Sequence, residues 1–354
     1  MKIAQISPLY EAVPPKLYGG TERIVAYLSD ALVDLGHQVT LFASADSQTK
    51  AELVGVRDQA FRLDPSPLKS DLAAHLTQLS ELRKRAHEFD VIHFHVDLLH
   101  FPFFEDLAHR TVTTLHGRLD LKDLAEVYRR FPQYPLVSIS DSQRRPLAFC
   151  NWIETVPHGV PASLFTPPRE PSGDYLAFLG RMSPEKGPER AIAIAKRVGM
   201  PLRIAAKVDP ADEIYFRSAI APLLDHPLIH FVGEIGDQAK SQFLGNARAL
   251  LFPVDWPEPF GLAMIEAMGC GAPVIAWDHG SVPEVVDEGA TGFVVTSEDE
   301  AVAALARVDL LSRRRVRAIF EERFSALTMA RNYVSVYKAL LADSPPLRGG
   351  VIAA

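Results

Sequence analysis

Two glutamates lie beside a predicted turn within the segment 249–276, which reads ALLFPVDWPEPFGLAMIEAMGCGAPVIA. Glu258 comes just before a predicted helix, and Glu266 lies in the second turn of that helix. The free N–H groups of a helix N-terminus attract phosphate, and carboxylates accept hydrogen bonds from sugar or ribose hydroxyls. The combination indicates a nucleotide-sugar site. The alternative is that Glu266 only complements the helix dipole and that Glu258 is a solvated loop residue.

Three basic residues are predicted to reach the edge of the same sheet. Arg181 follows the predicted strand 175–179, Lys186 precedes the predicted helix 188–198, and Lys207 follows the next strand. The carboxyl ends of parallel strands meet at one edge, where open α/β sheets bind their ligands. The arginine guanidinium can donate two parallel hydrogen bonds to a diphosphate, and the lysine ammonium supplies a point charge. These residues are therefore candidate diphosphate-binding groups. The alternative is that all three are surface charges.

The N-terminal half contains two further candidates. Gly19 and Gly20 precede the predicted helix 21–35, where the missing side chains would let the backbone approach a ligand. Their spacing lacks the third glycine of the dinucleotide-binding fingerprint, so a simple turn is the alternative. His116 follows the predicted strand 110–115 and is either a substrate-contacting group or a histidine that caps a helix.

The segment with the two glutamates is predicted to form strand 249–254, helix 260–268 and strand 273–276. Pro259 cannot continue a strand ladder, and Gly261 is placed in the first turn of the helix. Strands and helices alternate in this way along most of the chain. This alternation predicts an α/β fold with parallel sheets.

Two segments farther along the chain also carry local signals. The sequence SVPE at 281–284 matches a capping box, in which a serine and a glutamate satisfy the first N–H groups of a helix. The segment 289–295 predicts a hairpin-like or edge element.

Pro and Gly are concentrated at 158–173, which indicates a linker between two domains.

Metal and disulfide chemistry have little support in the sequence. His93 and His95 alternate at the end of the predicted strand 91–94, but no further ligand stands at motif spacing. A polar strand end lining a cleft is the other interpretation of the pair. The two cysteines, Cys150 and Cys270, are far apart and are expected to be buried, inert thiols in a reducing compartment.

The composition excludes several classes of protein. The chain has 354 residues, which suits two domains, and its net charge of −7 argues against nucleic-acid binding. No apolar run reaches membrane-spanning length, and KIAQIS after Met1 predicts a strand rather than a signal peptide. We therefore expect a cytoplasmic protein. Arginine pairs at 129–130 and 144–145 leave peripheral contact with the inner face of the membrane open.

With these segments assembled, the sequence closely resembles the family 4 glycosyltransferases, retaining enzymes of the GT-B fold. The resemblance is most specific in PEPFGLAMIEAMGCGAPVIA, with FLGRMSPEKG upstream and GSVPEVV and GATGFVV downstream. YGGTER and LHG match the N-terminal half, and FSALTMARNYVSVYKAL resembles the closing helices. The resemblance implies two Rossmann-like domains facing across a deep cleft. The acceptor-side domain would span 1–165, joined by about 335–354 crossing back, and the nucleotide-sugar donor domain would span 172–330.

The resemblance also implies roles for the candidate catalytic residues. The family residues that match Arg181 and Lys186 bind the donor diphosphate. The glutamate matching Glu258 faces the transferred sugar, and the histidine matching His116 approaches that sugar. The cations and the helix dipole would stabilise the leaving diphosphate without a metal. The acceptor hydroxyl would then attack from the front face, with retention, as the leaving phosphate oxygen takes its proton.

The remaining roles concern donor binding. The glutamate matching Glu266 holds the ribose hydroxyls, and the glycine loop closes over the phosphates. Backbone N–H groups at the helix turn add hydrogen bonds; the matching residues are Phe260, Gly261 and Leu262. No cofactor is implied beyond a nucleotide-diphosphate sugar as substrate, and the acceptor would be a sugar, glycan or glycolipid hydroxyl.

Two other functions are compatible with the same residues. A GT-B nucleotide-sugar epimerase would react without an acceptor, and a non-catalytic nucleotide-sugar binding protein would bind without turnover. A dehydrogenase is disfavoured because the glycine-rich fingerprint is missing. No residue decides the base of the donor, and UDP-sugars are only mildly preferred over GDP-sugars.

Overall fold

The computed structural model describes residues 1–16 and 19–343, which form two parallel β-sheets with helices on their faces. The first sheet has seven strands in the order β3-β2-β1-β4-β5-β6-β7, all paired in parallel. Its strands are β1 (Lys2–Ile6), β2 (Gln38–Ala43), β3 (Glu52–Gly55), β4 (Val91–Phe94), β5 (Thr111–Thr114), β6 (Leu136–Ser138) and β7 (Trp152–Thr155). The predicted α/β class is confirmed.

The second sheet has six strands in the order β10-β9-β8-β11-β12-β13, again all parallel, where β8 is Leu176–Arg181 and β9 is Leu202–Lys207. The others are β10 (Ile229–Gly233), β11 (Leu250–Phe252), β12 (Val274–Trp277) and β13 (Gly292–Val295). In both sheets the strand order reverses at one point, between β1 and β4 and between β8 and β11. Ligands of open α/β sheets bind at such switch points, at the carboxyl ends of the strands.

Helices cover both faces of each sheet. They are α1 (Gly20–Asp34), α2 (Asp71–Arg85), α3 (Leu124–Arg130), α4 (Asp141–Arg144), α5 (Pro188–Val198), α6 (Glu213–Tyr215), α7 (Asp237–Gly245), α8 (Leu262–Gly269), α9 (Val282–Val285), α10 (Glu298–Leu305), α11 (Arg313–Arg323) and α12 (Ala326–Asp343). Strand β11 shows why both faces are apolar. Leu250 and Phe252 pack into the core that contains α8, whereas Leu251 packs into the core that contains α5. A near-continuous apolar run is typical of such doubly covered strands.

The chain returns to the first sheet through α12. Its residues Tyr333 and Tyr337 are buried in one core with Ile3 of β1, and α12 packs along α1. The return predicted at about 335 falls within this helix, which begins at Ala326, and residues 344–354 lie outside the described residues. The domain bounds 1–165 and 172–330 stay a prediction.

Two local predictions differ from the structure, and a third agrees with one of its two alternatives. Gly261 precedes α8 with φ 83°, so the helix begins at Leu262 rather than at residue 260. Ser281 does not cap α9 with its side chain, because its hydroxyl donates to the Phe260 carbonyl instead (2.9 Å). Of the two alternatives for 289–295, the edge element is confirmed, because residues 292–295 form an edge strand parallel to β12.

Candidate active site

A cavity of about 380 Å³ lies between the two sheets, at the carboxyl ends of their strands. Every candidate site residue predicted from the sequence lines it. From the first half these are Gly19, Gly20 and His116; from the second half they are Arg181, Lys186, Lys207, Glu258, Phe260, Gly261, Leu262 and Glu266. The two halves approach closely here, since a Cβ atom on Gly20 would lie 3.9 Å from Leu262 Cδ1. Tyr18 of the YGGTER motif lies outside the described residues.

Arg181 is the last residue of β8 rather than the first residue after it. Its guanidinium pairs with Glu185, and Nε lies 3.5 Å from Asp212 Oδ2. Lys207, at the end of the adjacent β9, places Nζ 2.6 Å from Asp209 Oδ1. Both cations therefore reach the cavity while paired with carboxylates. An anionic ligand would compete with these carboxylates for the same charge.

Lys186 forms an ion pair with Glu258 across the cavity. The Trp256 indole N–H donates to the same carboxylate (2.8 Å), and Lys186 Nζ lies 5.0 Å from the Trp256 ring centre. The Lys186 side chain is 15% exposed and that of Glu258 is 10% exposed, so the alternative of a solvated loop glutamate is wrong. The ion pair therefore connects Lys186, which is predicted to bind phosphate, with Glu258, which is predicted to face the sugar.

Glycines at two turns allow the loop that carries Glu258 to pack closely. Gly280 has φ 63°, and a Cβ atom there would lie 2.3 Å from the Glu258 carbonyl oxygen. The Ser281 backbone N–H donates to that same oxygen (2.9 Å). At Gly261 a Cβ atom would lie 2.9 Å from the Phe252 ring. The backbone thus turns sharply into α8, and the open N-terminus of this helix lies at the cavity wall.

Glu266 lies in α8 and is 3% exposed. Lys240 donates to its Oε1 (2.7 Å) and also lies 3.3 Å from Asp237. Asp237 in turn pairs with Arg23 of α1, so a chain of alternating charges crosses from the second sheet to the first. Sequence reasoning missed Lys240 and Arg23. Arg23 stands within the YGGTER motif, which was a usable signal, whereas Lys240 stands on α7 in no motif.

His116 is half-buried and lies beside several buried histidines at the first sheet. Burial lowers its pKa to about 3, so the ring is neutral near pH 7. His95 Nδ1 lies 2.8 Å from His116 Nε2, and the His158 ring stacks on His116 with 5.1 Å between centroids. His93 instead points into the core and contacts the Tyr337 and Thr114 hydroxyls (2.7 Å each). Among residues 1–16 and 19–343, no group of three or more His, Cys, Asp or Glu is placed to hold a metal ion.

Two family models match the sequence. The family described as "Glycosyltransferase Family 4" matches residues 18–162, and the one described as "Glycosyl transferases group 1" matches residues 165–324. Together they span both sheets and the cleft between them. The chain is a family 4 glycosyltransferase.

Known proteins resemble this glycosyltransferase over nearly their whole length. The phosphatidyl-myo-inositol mannosyltransferase of Mycolicibacterium smegmatis is 26% identical over 356 residues, with 92% of this chain and 88% of the relative aligned. The sucrose-phosphate synthase of Thermosynechococcus elongatus superposes with a TM-score of 0.77 at 20% identity, over 97% of this chain and 100% of that one. Anabaena HepE, solved with UDP and glucose, has a TM-score of 0.73 at 18% identity over 96% and 100%. The GT-B fold predicted from the sequence is confirmed.

The helices of this glycosyltransferase, in so far as the structure describes them, do not combine the length and the low polarity that a membrane span needs. Within the described part of the chain, every helix is too short or too polar to cross a bilayer. The arginine pair at 144–145 is partly engaged in the fold, because Arg144 Nε donates to the Ser138 hydroxyl (2.6 Å).

Proposed function

We propose that this glycosyltransferase moves a hexosyl group from a nucleotide-diphosphate sugar to a hydroxyl acceptor, with retention of anomeric configuration and without a metal. One observation carries the proposal. Arg181, Lys186 and Lys207 reach one cavity together with the open N-terminus of α8 and the buried carboxylate of Glu266. Cations and free N–H groups suit a diphosphate, and a buried carboxylate suits a ribose diol.

The arrangement supports one orientation of the donor. The diphosphate would lie between Arg181, Lys186 and the start of α8, and the ribose would lie at Glu266. The base would lie toward the backbone at 234–235, which also lines the cavity. HepE, which shares the fold, was solved with UDP, and this supports testing UDP-sugars first. The preference for UDP-sugars over GDP-sugars rests on no residue of this chain.

The charges of the cavity support the proposed chemistry. When the bond between sugar and diphosphate breaks, negative charge develops on the leaving phosphate beside Lys186 and Arg181. Fixed cations and N–H dipoles in a partly buried site stabilise such charge and would perform the task that a metal performs elsewhere. The acceptor hydroxyl attacks from the same face and passes its proton to the leaving phosphate oxygen. A double displacement would require a carboxylate on the opposite face, and Glu258 is the candidate for that role.

The acceptor is proposed from the relatives. The mycobacterial relative is named as a mannosyltransferase of phosphatidyl-myo-inositol. Inositol-bearing compounds are therefore the first acceptors to test, in free and lipid-linked form, followed by sugars and glycans. A lipid-linked acceptor would bring the protein to the inner face of the membrane, and we propose a cytoplasmic location with that peripheral contact.

The test is a transfer assay with UDP-glucose, UDP-GlcNAc and GDP-mannose, each with and without an acceptor panel and with EDTA. Proton NMR of the product measures the anomeric configuration. We expect retention, no loss of rate with EDTA, and a dependence on acceptor. Inversion of configuration contradicts the proposed mechanism. Interconversion of the donor sugar without acceptor would identify an epimerase, and binding without turnover would identify a binding protein.

A further inference from the structure

A chain of buried hydrogen bonds connects α12 with His116 at the cavity. The Gln5 amide contacts the Tyr337 hydroxyl through Nε2 (3.2 Å) and His95 Nε2 through Oε1 (2.7 Å). His95 Nδ1 then lies 2.8 Å from His116 Nε2. Gln5 and Tyr337 are 0% exposed and His95 is 2% exposed, so water cannot replace these contacts.

A second branch leaves the same tyrosine. His93 Nδ1 lies 2.7 Å from the Tyr337 hydroxyl, and its Nε2 lies 2.7 Å from the Thr114 hydroxyl. Thr114 in turn contacts the Tyr333 hydroxyl (2.8 Å). The two branches meet because Gln5 of β1 stands opposite His93 of β4, at the switch point of the first sheet. The whole network therefore depends on the pairing of these two strands.

The imidazoles in this network are neutral. Burial lowers the pKa of His93 and His95 well below 6.5 and that of His116 to about 3. A neutral imidazole has one N–H donor and one nitrogen acceptor, so each ring must donate on one side and accept on the other. Two opposite proton orders satisfy the network, and the orientation of the Gln5 amide selects between them.

The amide orientation determines each tautomer in turn. Gln5 Oε1 can only accept, so His95 carries its proton on Nε2 and accepts through Nδ1. His116 must then donate from Nε2, which leaves its Nδ1 as an acceptor. Nδ1 is buried and has no hydrogen-bond partner among the described residues, 1–16 and 19–343. Nδ1 is thus an unpaired acceptor of a residue that lines the cavity, in the part of the chain that the structure describes.

We propose that Gln5 and His95 are positioning residues that hold His116 as its Nε2–H tautomer and so present an Nδ1 acceptor to the bound sugar. The inference rests on the proposed function for the identity of the ligand, a sugar whose hydroxyl donates to Nδ1. It extends that function by assigning the direction of the bond and the two residues that set it. Neither residue touches the substrate.

The first test measures the tautomers in the ligand-free protein. Long-range proton–nitrogen NMR of the histidine rings distinguishes a protonated ring nitrogen from an unprotonated one, and the His116→Asn spectrum assigns the His116 signals. We expect Nε2 protonated and Nδ1 unprotonated in both His95 and His116 near pH 7. Protonated Nδ1 in His116 overturns the proposal. This result does not depend on any donor or acceptor, so it is separate from a failure of the proposed function.

The second test measures the effect on turnover. Gln5→Met removes the acceptor of His95, and we expect roughly a threefold to tenfold loss of kcat, the effect of one hydrogen bond, with little change in donor KM. The NMR spectrum should then show His116 as a mixture of tautomers. Tyr333→Phe is the matched control, since it removes an equally buried hydroxyl from the other branch and leaves the Gln5, His95 and His116 contacts intact.

A pair of substitutions at His95 separates positioning from packing. The side-chain carbonyl that His95→Asn introduces can accept in place of Nδ1, whereas His95→Leu supplies no acceptor. We expect His95→Asn to retain the Nε2–H form of His116 and most of kcat, and His95→Leu to lose both. Equal losses in the two variants, or a loss in Tyr333→Phe as large as in Gln5→Met, would show a purely structural network and overturn the proposal.

Discussion

The sharpest test of the proposed site is the removal of the Lys186 ammonium by Lys186→Ala. This side chain pairs with Glu258 and lies over the Trp256 ring, in a cavity where both partners are largely buried. The substitution removes one cation from the diphosphate site. It also leaves the Glu258 carboxylate with only the Trp256 N–H as a described donor, so that a negative charge faces the bound diphosphate.

The structure allows a magnitude for each effect. Two unit charges about 4 Å apart at an effective dielectric constant of about 20 interact by about 4 kcal/mol, which corresponds to about a thousandfold in rate. Removing one preorganised donor from a transition state costs about 100-fold to 1,000-fold in kcat, which agrees. For stability, breaking a fully buried pair costs about 3–5 kcal/mol. Because this pair is partly exposed and Trp256 still donates, we expect about 1–3 kcal/mol in the free energy of unfolding.

The assay combines steady-state transfer rates with urea unfolding of the ligand-free protein. We expect Lys186→Ala to lose about two to three orders of magnitude in kcat/KM. The double variant with Glu258→Gln should recover the free energy of unfolding, because the unpaired charge is gone, but not the turnover. Lys84→Ala is the control, since Lys84 pairs with Glu81 on the surface, with side chains 66% and 45% exposed. A Lys186→Ala enzyme with kcat/KM within about threefold of the wild type would refute the phosphate role, because such a loss is below that of one charged hydrogen bond.

The Glu266 carboxylate, the Glu284 contact between the two halves and the buried histidines can each be tested. Glu266→Ala should weaken nucleoside diphosphate binding about tenfold by calorimetry and should remove discrimination against the 2′-deoxy analogue, since the ribose loses its acceptor. Glu284→Ala should raise the radius of gyration in X-ray scattering and lower kcat, because the Glu284 carboxylate accepts from the Asp141 and Ser142 backbone N–H groups across the cleft (2.7 and 2.8 Å). Lowering the pH from 7 to 5 should reduce the free energy of unfolding in urea by about 2 kcal/mol for each histidine that stays neutral in the folded protein, because the unfolded chain takes up protons that the folded chain does not. Burial raises the pKa of Glu22 to about 7, so that this carboxyl binds a proton when folded and offsets one of these losses. The histidines with pKa values well below 6.5 are His93, His95, His100 and His158, together with His116, whose pKa is about 3.

Much of the fold could be predicted from local patterns. The bounds of β4 (Val91–Phe94) and α5 (Pro188–Val198) agree residue for residue with the prediction. In each case an apolar run or a regular apolar face ends at a polar residue or a glycine, so the signal is local. Strand β3 (Glu52–Gly55) was missed because it lies at the sheet edge, is partly exposed and has no distinctive alternation.

Local patterns failed where a side chain serves a distant element. The predicted capping box at Ser281 and Glu284 has the right residues, but the serine holds the Phe260 carbonyl and the glutamate caps α4 across the cleft. These two side chains stand at the short helix α9, but they form hydrogen bonds with other segments rather than with the N–H groups of α9 itself. The spacing of residues within a motif cannot predict such hydrogen bonds, because the partners lie far away in the chain.

Hydrophobic periodicity and strand polarity were enough to predict the parallel α/β class and the residues that reach the strand ends. Every candidate site residue named from the sequence lines the cavity. The pairing of these charges, in contrast, could be seen only in the folded protein. The Lys186–Glu258 pair, the Lys240–Glu266 contact and the Gln5–His95–His116 chain join residues from separate strands and helices. Such contacts depend on the order of the strands and on how closely the two halves of the chain approach each other. These distances determine whether a side chain at the cavity is charged, neutral or already paired with another residue.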